Sequence, residues 1–188
     1  MKKLFKIIII VFAVLLIGAA VFALLTFGDV LSYTATGVEI RAPMGVLVGK
    51  ALVVYNPGLS GGAKDAASKI ANGLKSNGYQ ITFAGIRSTA AADTSGYDII
   101  VVGGPIYAGK PLASVQGYLN SLNPPVNSTV GVFGIGNGPA ESTDQHVVAN
   151  EVAPLPSDST VTLKTVMKIA TSENLDARCS EFVTSLLH

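Results

Sequence analysis

The chain has 188 residues, enough for one ordinary domain with an appendage, and its charged residues are sparse at 13%. Thirteen Lys and Arg against twelve Asp and Glu leave a net charge of +1, without the clustered basic footprint that nucleic-acid binding requires. The single cysteine, Cys179, excludes an intrachain disulfide and any Cys-rich zinc or iron–sulfur site, and the two histidines, His146 and His188, lie far apart in sequence.

Lys2, Lys3 and Lys6 make residues 1–6 a short basic N-terminus. Residues 7–27 (Ile7–Phe27) then run without a charge, interrupted by Gly18 and Thr26. As a helix at about 1.5 Å per residue, this run is roughly 31 Å long and matches a hydrocarbon core of about 30 Å. It is therefore expected to be a transmembrane helix with the lipid bilayer as its partner. A cleaved signal peptide ending near Val21-Phe22-Ala23 is the competing reading, although Leu24, Leu25 and Phe27 prolong the apolar run. The excess of lysine before the span, with Asp29 and Glu39 after it, predicts a single-pass protein. Its N-terminus would be cytoplasmic and its domain extracytoplasmic. Residues 28–49 read as a linker, in which Val38–Arg41 is a short extended piece before Pro43.

From Lys50 the pattern changes to apolar runs alternating with amphipathic segments. Ala51–Tyr55 is a short apolar strand flanked by breakers, as for a strand buried on both faces. Ala66, Ala67, Ile70, Ala71 and Leu74 recur at helical spacing and predict a helix over Lys64–Lys75, closed by Asn77-Gly78. Tyr79–Ala84 is the second strand, and the polar, alanine-rich Ile86–Gly96 leaves room for a brief helix only. Asp98–Gly103 is the third strand, Gly104–Pro111 its loop, and Leu112–Leu122 a helix closed by Pro124-Pro125. Val130–Ile135, Glu141–Val152, Thr160–Ile169 and Glu173–Leu187 complete the alternation as strand, helix, strand and helix. Strands and helices alternating at this spacing predict an α/β domain over residues 50–188, with a parallel sheet covered on both faces.

Ligands of such sheets sit at the carboxyl ends of the strands, where strand order reverses. Three loops leave those ends with unusual content: Asn56–Ala63, Gly104–Pro111 and Gly134–Pro139. In the first, Gly61 and Gly62 permit close backbone approach and positive φ, and a helix N-terminus follows. Phosphate binding and a plain strand-to-helix turn both fit that composition. Ser60 can donate to a phosphate or cap the helix, and Lys64 adds charge or lies in solvent. No G-x-x-x-x-G-K-[ST] pattern is present for nucleotide hydrolysis, and no G-x-S-x-G elbow for an α/β-hydrolase. His146 reads as a helix-surface residue, and Cys179 packs at helical spacing with Leu175, Phe182 and Val183. Asn127-Ser128-Thr129 fits a glycosylation acceptor.

The segments YDIIVVGGPIYAGKP (Tyr97–Pro111) and ALVVYNPGLSGGAKDAASKIANGL (from Ala51) carry a resemblance to the FMN-binding flavodoxin family, extending over Lys50–Leu187. The resemblance implies a flavodoxin-like three-layer sandwich on a five-stranded parallel sheet of order 2-1-3-4-5, here preceded by the transmembrane helix. It also places Ser60, Gly61, Gly62 and Ala63 over the loop that wraps the FMN phosphate, with Asn56, Pro57, Gly58, Leu59 and Lys64 as further cofactor-binding candidates around it. Tyr107 would then lie beside the isoalloxazine, with backbone contacts from Pro105, Ile106, Ala108 and Gly109, and with Gly136, Asn137 and Gly138 on the other side. The chain departs from the family's loop at Ala63, where a hydroxyl residue is usual, and in the Pro57-Gly58-Leu59 approach. It also lacks a second flanking aromatic. The expectation is FMN-dependent electron transfer with a redox partner protein or a small-molecule acceptor, and with no catalytic residue assigned. The alternative is a flavodoxin-fold interaction or accessory module that has lost flavin binding.

Overall fold

A computed structural model describes residue 6, residues 10–22 and residues 35–188. Contacts divide the chain into Met1–Tyr33 and Thr34–His188. In the first unit, residue 6 and residues 10–22 are helical. Among the described residues no helix is long and apolar enough to cross a membrane. This corrects the expected single-pass localisation with its cytoplasmic N-terminus and extracytoplasmic domain, and it leaves the bilayer unsupported as a partner. The remainder of the 7–27 span lies outside the described residues.

The second unit is built on one sheet. Its strands are β1 (Val38–Arg41), β2 (Gly49–Tyr55), β3 (Tyr79–Gly85), β4 (Ile99–Tyr107), β5 (Lys110–Pro111), β6 (Thr129–Gly136) and β7 (Leu163–Ala170). Its helices are α1 (Gly62–Ser76), α2 (Thr89–Ala92), α3 (Ala113–Ser121), α4 (Gln145–Val152) and α5 (Leu175–Leu187). Along the sheet the order is β1-β3-β2-β4-β6-β7, with β5 paired to β4. The five strands β3, β2, β4, β6 and β7 are mutually parallel and run in the flavodoxin-like order 2-1-3-4-5.

Two additions make the sheet mixed rather than wholly parallel. Val38–Arg41, read above as part of a linker, pairs antiparallel with β3, from Val38 opposite Ala84 to Arg41 opposite Ile81. The strand covers an edge that would otherwise present unpaired backbone groups. Arg41 fastens it: the guanidinium lies 4.4 Å from the Phe83 ring centroid and donates to Ser68 Oγ at 3.2 Å and to Asn72 Oδ1 at 3.1 Å. The second addition is at the third strand, which continues four residues beyond the expected Gly103 and turns back on itself. Ile106 pairs with Pro111 and Tyr107 with Lys110, so much of the expected open loop Gly104–Pro111 is a β-hairpin. Its two central residues, Ala108 (φ 50°) and Gly109 (φ 74°), both occupy the left-handed region, as primed hairpin turns require.

Strands buried on both faces explain the unbroken apolar runs. Ala51 and Val53 of β2 pack with Ile70, Leu74, Phe182 and Val183 in the core beneath α1 and α5. The alternate residues Leu52 and Val54 pack with Val115, Leu119, Val148 and Val152 beneath α3 and α4. Three of the helices, α2, α4 and α5, start where a side chain caps them: Ser88 accepts from Ala91 N–H, Asp144 from His146 N–H and Asn174 from Ala177 N–H. This places α4 four residues after the expected Glu141 and α5 two after Glu173.

Candidate functional site

The loop after β2 is set by Asn56, which is completely buried. Its backbone N–H donates to Gly103 O at 2.9 Å, and its Nδ2 donates to Ser114 Oγ of α3 at 2.8 Å. Oδ1 accepts from Gly58 N–H at 2.9 Å, the local turn that asparagine favours. Pro57 and Gly58 are buried as well, while Leu59 and Ser60 are exposed. A Cβ on Gly58 would stand 3.1 Å from both Pro105 and the Tyr107 hydroxyl, so this glycine allows β4 to lie against the loop. Leu59 N–H donates to the Tyr107 hydroxyl at 3.0 Å.

The loop ends at Gly61, the N-cap of α1, in the left-handed region at φ 76° and with no side-chain cap. Ser60 Oγ lies 3.4 Å from Gly62 N, a long contact that leaves the hydroxyl able to turn outward. The first intrahelical bond is Asp65 N–H to Gly61 O. The first-turn N–H groups of Gly62, Ala63 and Lys64 therefore face the loop side, where the helix dipole favours negative charge. The Ala63 side chain is 2% exposed and belongs to the core under α1. A hydroxyl at 63 would thus be turned into apolar surroundings, which accounts physically for the departure from the usual loop. Lys64 is exposed.

On the other side of Tyr107 lies a cavity of 270 Å³, lined by Ile106, Tyr107, Ala108, Gly109, Gly136, Asn137, Gly138 and Lys168. Glycines bring its walls close: a Cβ on Gly134 would fall 2.4 Å from Ile106 Cδ1, and one on Gly136 would meet Ile106 and Lys168 at 3.4 Å. The volume is slightly below the roughly 300–1,000 Å³ of most ligand pockets, so it suits part of a flat ring with an open edge.

Thus the three sequence-nominated loops do meet at the carboxyl edge of the sheet. The first and second are joined by the Tyr107–Leu59 bond, and the second and third enclose the cavity. Asn56–Lys64 do not line that cavity; Tyr107, partly buried, stands between it and the first loop.

Three further residues were absent from the sequence reading. Ser114 anchors Asn56. Lys168 lines the cavity and forms an ion pair with Glu151 of α4, the two side chains being 8% exposed each. A lysine inside the otherwise apolar stretch Val166–Ala170 was the available signal, since a charge in a buried strand needs a partner. A larger cavity of 870 Å³ lies elsewhere, between α2, α3 and the Leu122–Val126 segment. It touches none of the three loops.

No family model and no curated protein matches the chain. Among solved structures it is similar to oxidised flavodoxin 2 from Bacillus cereus, with 17% identity, 73% of this chain and 97% of that one covered, and a TM-score of 0.48. It is also similar to an NADH:FMN oxidoreductase in its apo form, with 15% identity, 74% and 90% covered, and a TM-score of 0.49. A third is the rubredoxin oxygen:oxidoreductase of Desulfovibrio gigas, with 18% identity and a TM-score of 0.47. The match covers 75% of this chain and 36% of that protein.

Proposed function

We propose that the domain binds FMN at the carboxyl edge of its sheet and acts as an electron-transfer module, exchanging electrons with a redox protein or a small-molecule acceptor. The observation that carries this reading is the convergence at one edge of two complementary parts. One is the uncapped N-terminus of α1 behind left-handed Gly61; the other is a narrow slot walled by Tyr107 and two glycine-rich turns. The residues present fit both ends of the cofactor. The N–H groups of Gly62, Ala63 and Lys64 and the Ser60 hydroxyl form a donor set for a phosphate. Ile106–Gly109 and Gly136–Gly138 offer backbone and small side chains to a flat ring, with Tyr107 for an aromatic edge. FMN when bound supplies the one- and two-electron chemistry; the chain holds it, orients it and limits water on one side.

Two observations favour the second reading, an interaction module without flavin. The Tyr107 hydroxyl already occupies Leu59 N–H, and with Ala63 buried the loop offers one hydroxyl fewer than the family's. Titration of the full-length chain with FMN decides between them. Saturable quenching of flavin fluorescence with a perturbed visible spectrum, and weaker binding of riboflavin, supports the FMN site and its phosphate cradle. No spectral change and no thermal shift at saturating FMN leaves the interaction module.

A further inference from the structure

Lys168 belongs to β7 opposite Gly134 of β6, and its side chain leaves the sheet on the side covered by α3 and α4. It contributes the sole charged side chain to the lining of the 270 Å³ slot. Glu151, its partner, lies behind it on α4 and is not part of that lining. The ion pair therefore presents its positive end to the slot and its negative end to the helix. Glu151 Oε2 is buried with no hydrogen-bond partner, so the carboxylate is held through Oε1 to Lys168 rather than through a wider network. Other charges lie near it: Arg178 donates to the Lys168 carbonyl at 3.3 Å, its guanidinium is paired with Glu173 and Glu181, and these three residues share with Lys168 and Glu141 the lining of a neighbouring 760 Å³ cavity. Burying an ammonium and a carboxylate costs solvation that packed apolar residues would avoid. Stability alone thus gives little reason for the pair.

We infer that Lys168 is an electrostatic tuning residue: its ammonium stabilises negative charge on an electron-accepting ring in the slot, and Glu151 restrains how strongly it does so. This rests on the FMN reading above. When a reductant delivers two electrons to the oxidised ring and solvent delivers one proton, the product carries one negative charge more than the starting ring. A fixed cation in a low-dielectric wall favours that product over the oxidised form. Lys168 acts by position and neither transfers a proton nor forms a bond.

The test is a dithionite titration of the FMN-loaded full-length chain against reference dyes, in the wild type and in K168M, E151Q and K168M/E151Q. FMN affinity is measured separately by fluorescence quenching. K168M is expected to lower the midpoint potential and E151Q to raise it, and the double variant to lie below the wild type. A tenfold change in the ratio of affinities for reduced and oxidised FMN appears as about 30 mV for a two-electron couple. Opposite shifts from the two single variants are the signature, because general loosening of the fold would move both in one direction. E151Q and the double variant keep the question open to measurement if K168M, which leaves a buried carboxylate alone, does not fold. Equal midpoints in every variant that retains FMN overturn the role of Lys168 and leave the FMN site standing. Failure of the wild type to bind FMN at all overturns both.

Discussion

Replacing Asn56 by alanine tests whether the candidate phosphate loop is held in shape from within. In the native domain the side chain is fully buried, donates to Ser114 Oγ at 2.8 Å and accepts from Gly58 N–H at 2.9 Å. Each such bond has a net worth of about 0.5–1.5 kcal/mol, so their loss amounts to about 1–3 kcal/mol. Gly58 N–H is buried and left without its acceptor, which moves the expected value toward the upper half of that range. For a domain of this size, about 2 kcal/mol lowers the Tm by roughly 4–8 °C. The loop also has to be ordered again when FMN binds. If about 1.4 kcal/mol of that ordering moves from folding to binding, FMN affinity falls about tenfold. The assays are thermal unfolding followed by circular dichroism and FMN fluorescence quenching. A double-mutant cycle with S114A isolates the Asn56–Ser114 bond, with an expected coupling of about 1 kcal/mol. An unchanged Tm together with zero coupling to Ser114 would refute the idea that Asn56 organises the loop.

Three further outcomes are expected. G61A finds open space around its new Cβ, so its cost is conformational: about 1–2 kcal/mol for a left-handed alanine, read in the urea midpoint, and weaker FMN binding than riboflavin binding would lose. G103A drives a Cβ to 2.0 Å from the Phe133 ring and destabilises by about 1–3 kcal/mol of overpacking. F133L, which shortens the obstructing side chain, recovers part of that loss in the double variant; equal stabilities for G103A and wild type would contradict the packing. Burial pushes the Cys179 thiol from its ordinary value near 9 up to about 11, with Asp176 acting in the same sense and Lys69 against it. The folded state then holds the proton more tightly than the unfolded chain. The sign follows: this contribution is complete below pH 9 and is lost as the pH rises from about 9 through 11. The urea midpoint should therefore fall over that interval and fall less steeply in C179A, and the native thiol should resist alkylation at neutral pH.

The sequence by itself determined the parallel α/β framework. Runs such as Ala51–Tyr55 and Ile99–Val102 are apolar at every position because each alternate residue enters a different core, and only helices on both faces produce that requirement. It also located the three loops, since Gly, Pro and Asn at strand ends are dictated by local backbone geometry. Ser88, Asp144 and Asn174 became legible as caps only once the chain had chosen where each helix begins. Tertiary structure alone decided the rest. Val38–Arg41 is a strand because the exposed edge of β3 accepts it and Arg41 finds Phe83, Ser68 and Asn72 on elements remote in sequence. The apolar run at 7–27 satisfies the composition of a membrane span, yet among the described residues no helix is long and apolar enough to cross a membrane. Tyr107 was chosen as an aromatic wall, and its hydroxyl proves to be the link between two loops 48 residues apart. Lys168 and Glu151 are 17 residues apart and share no local pattern. What joins them is the burial of a strand end under a helix, where a charge is tolerated only beside its opposite.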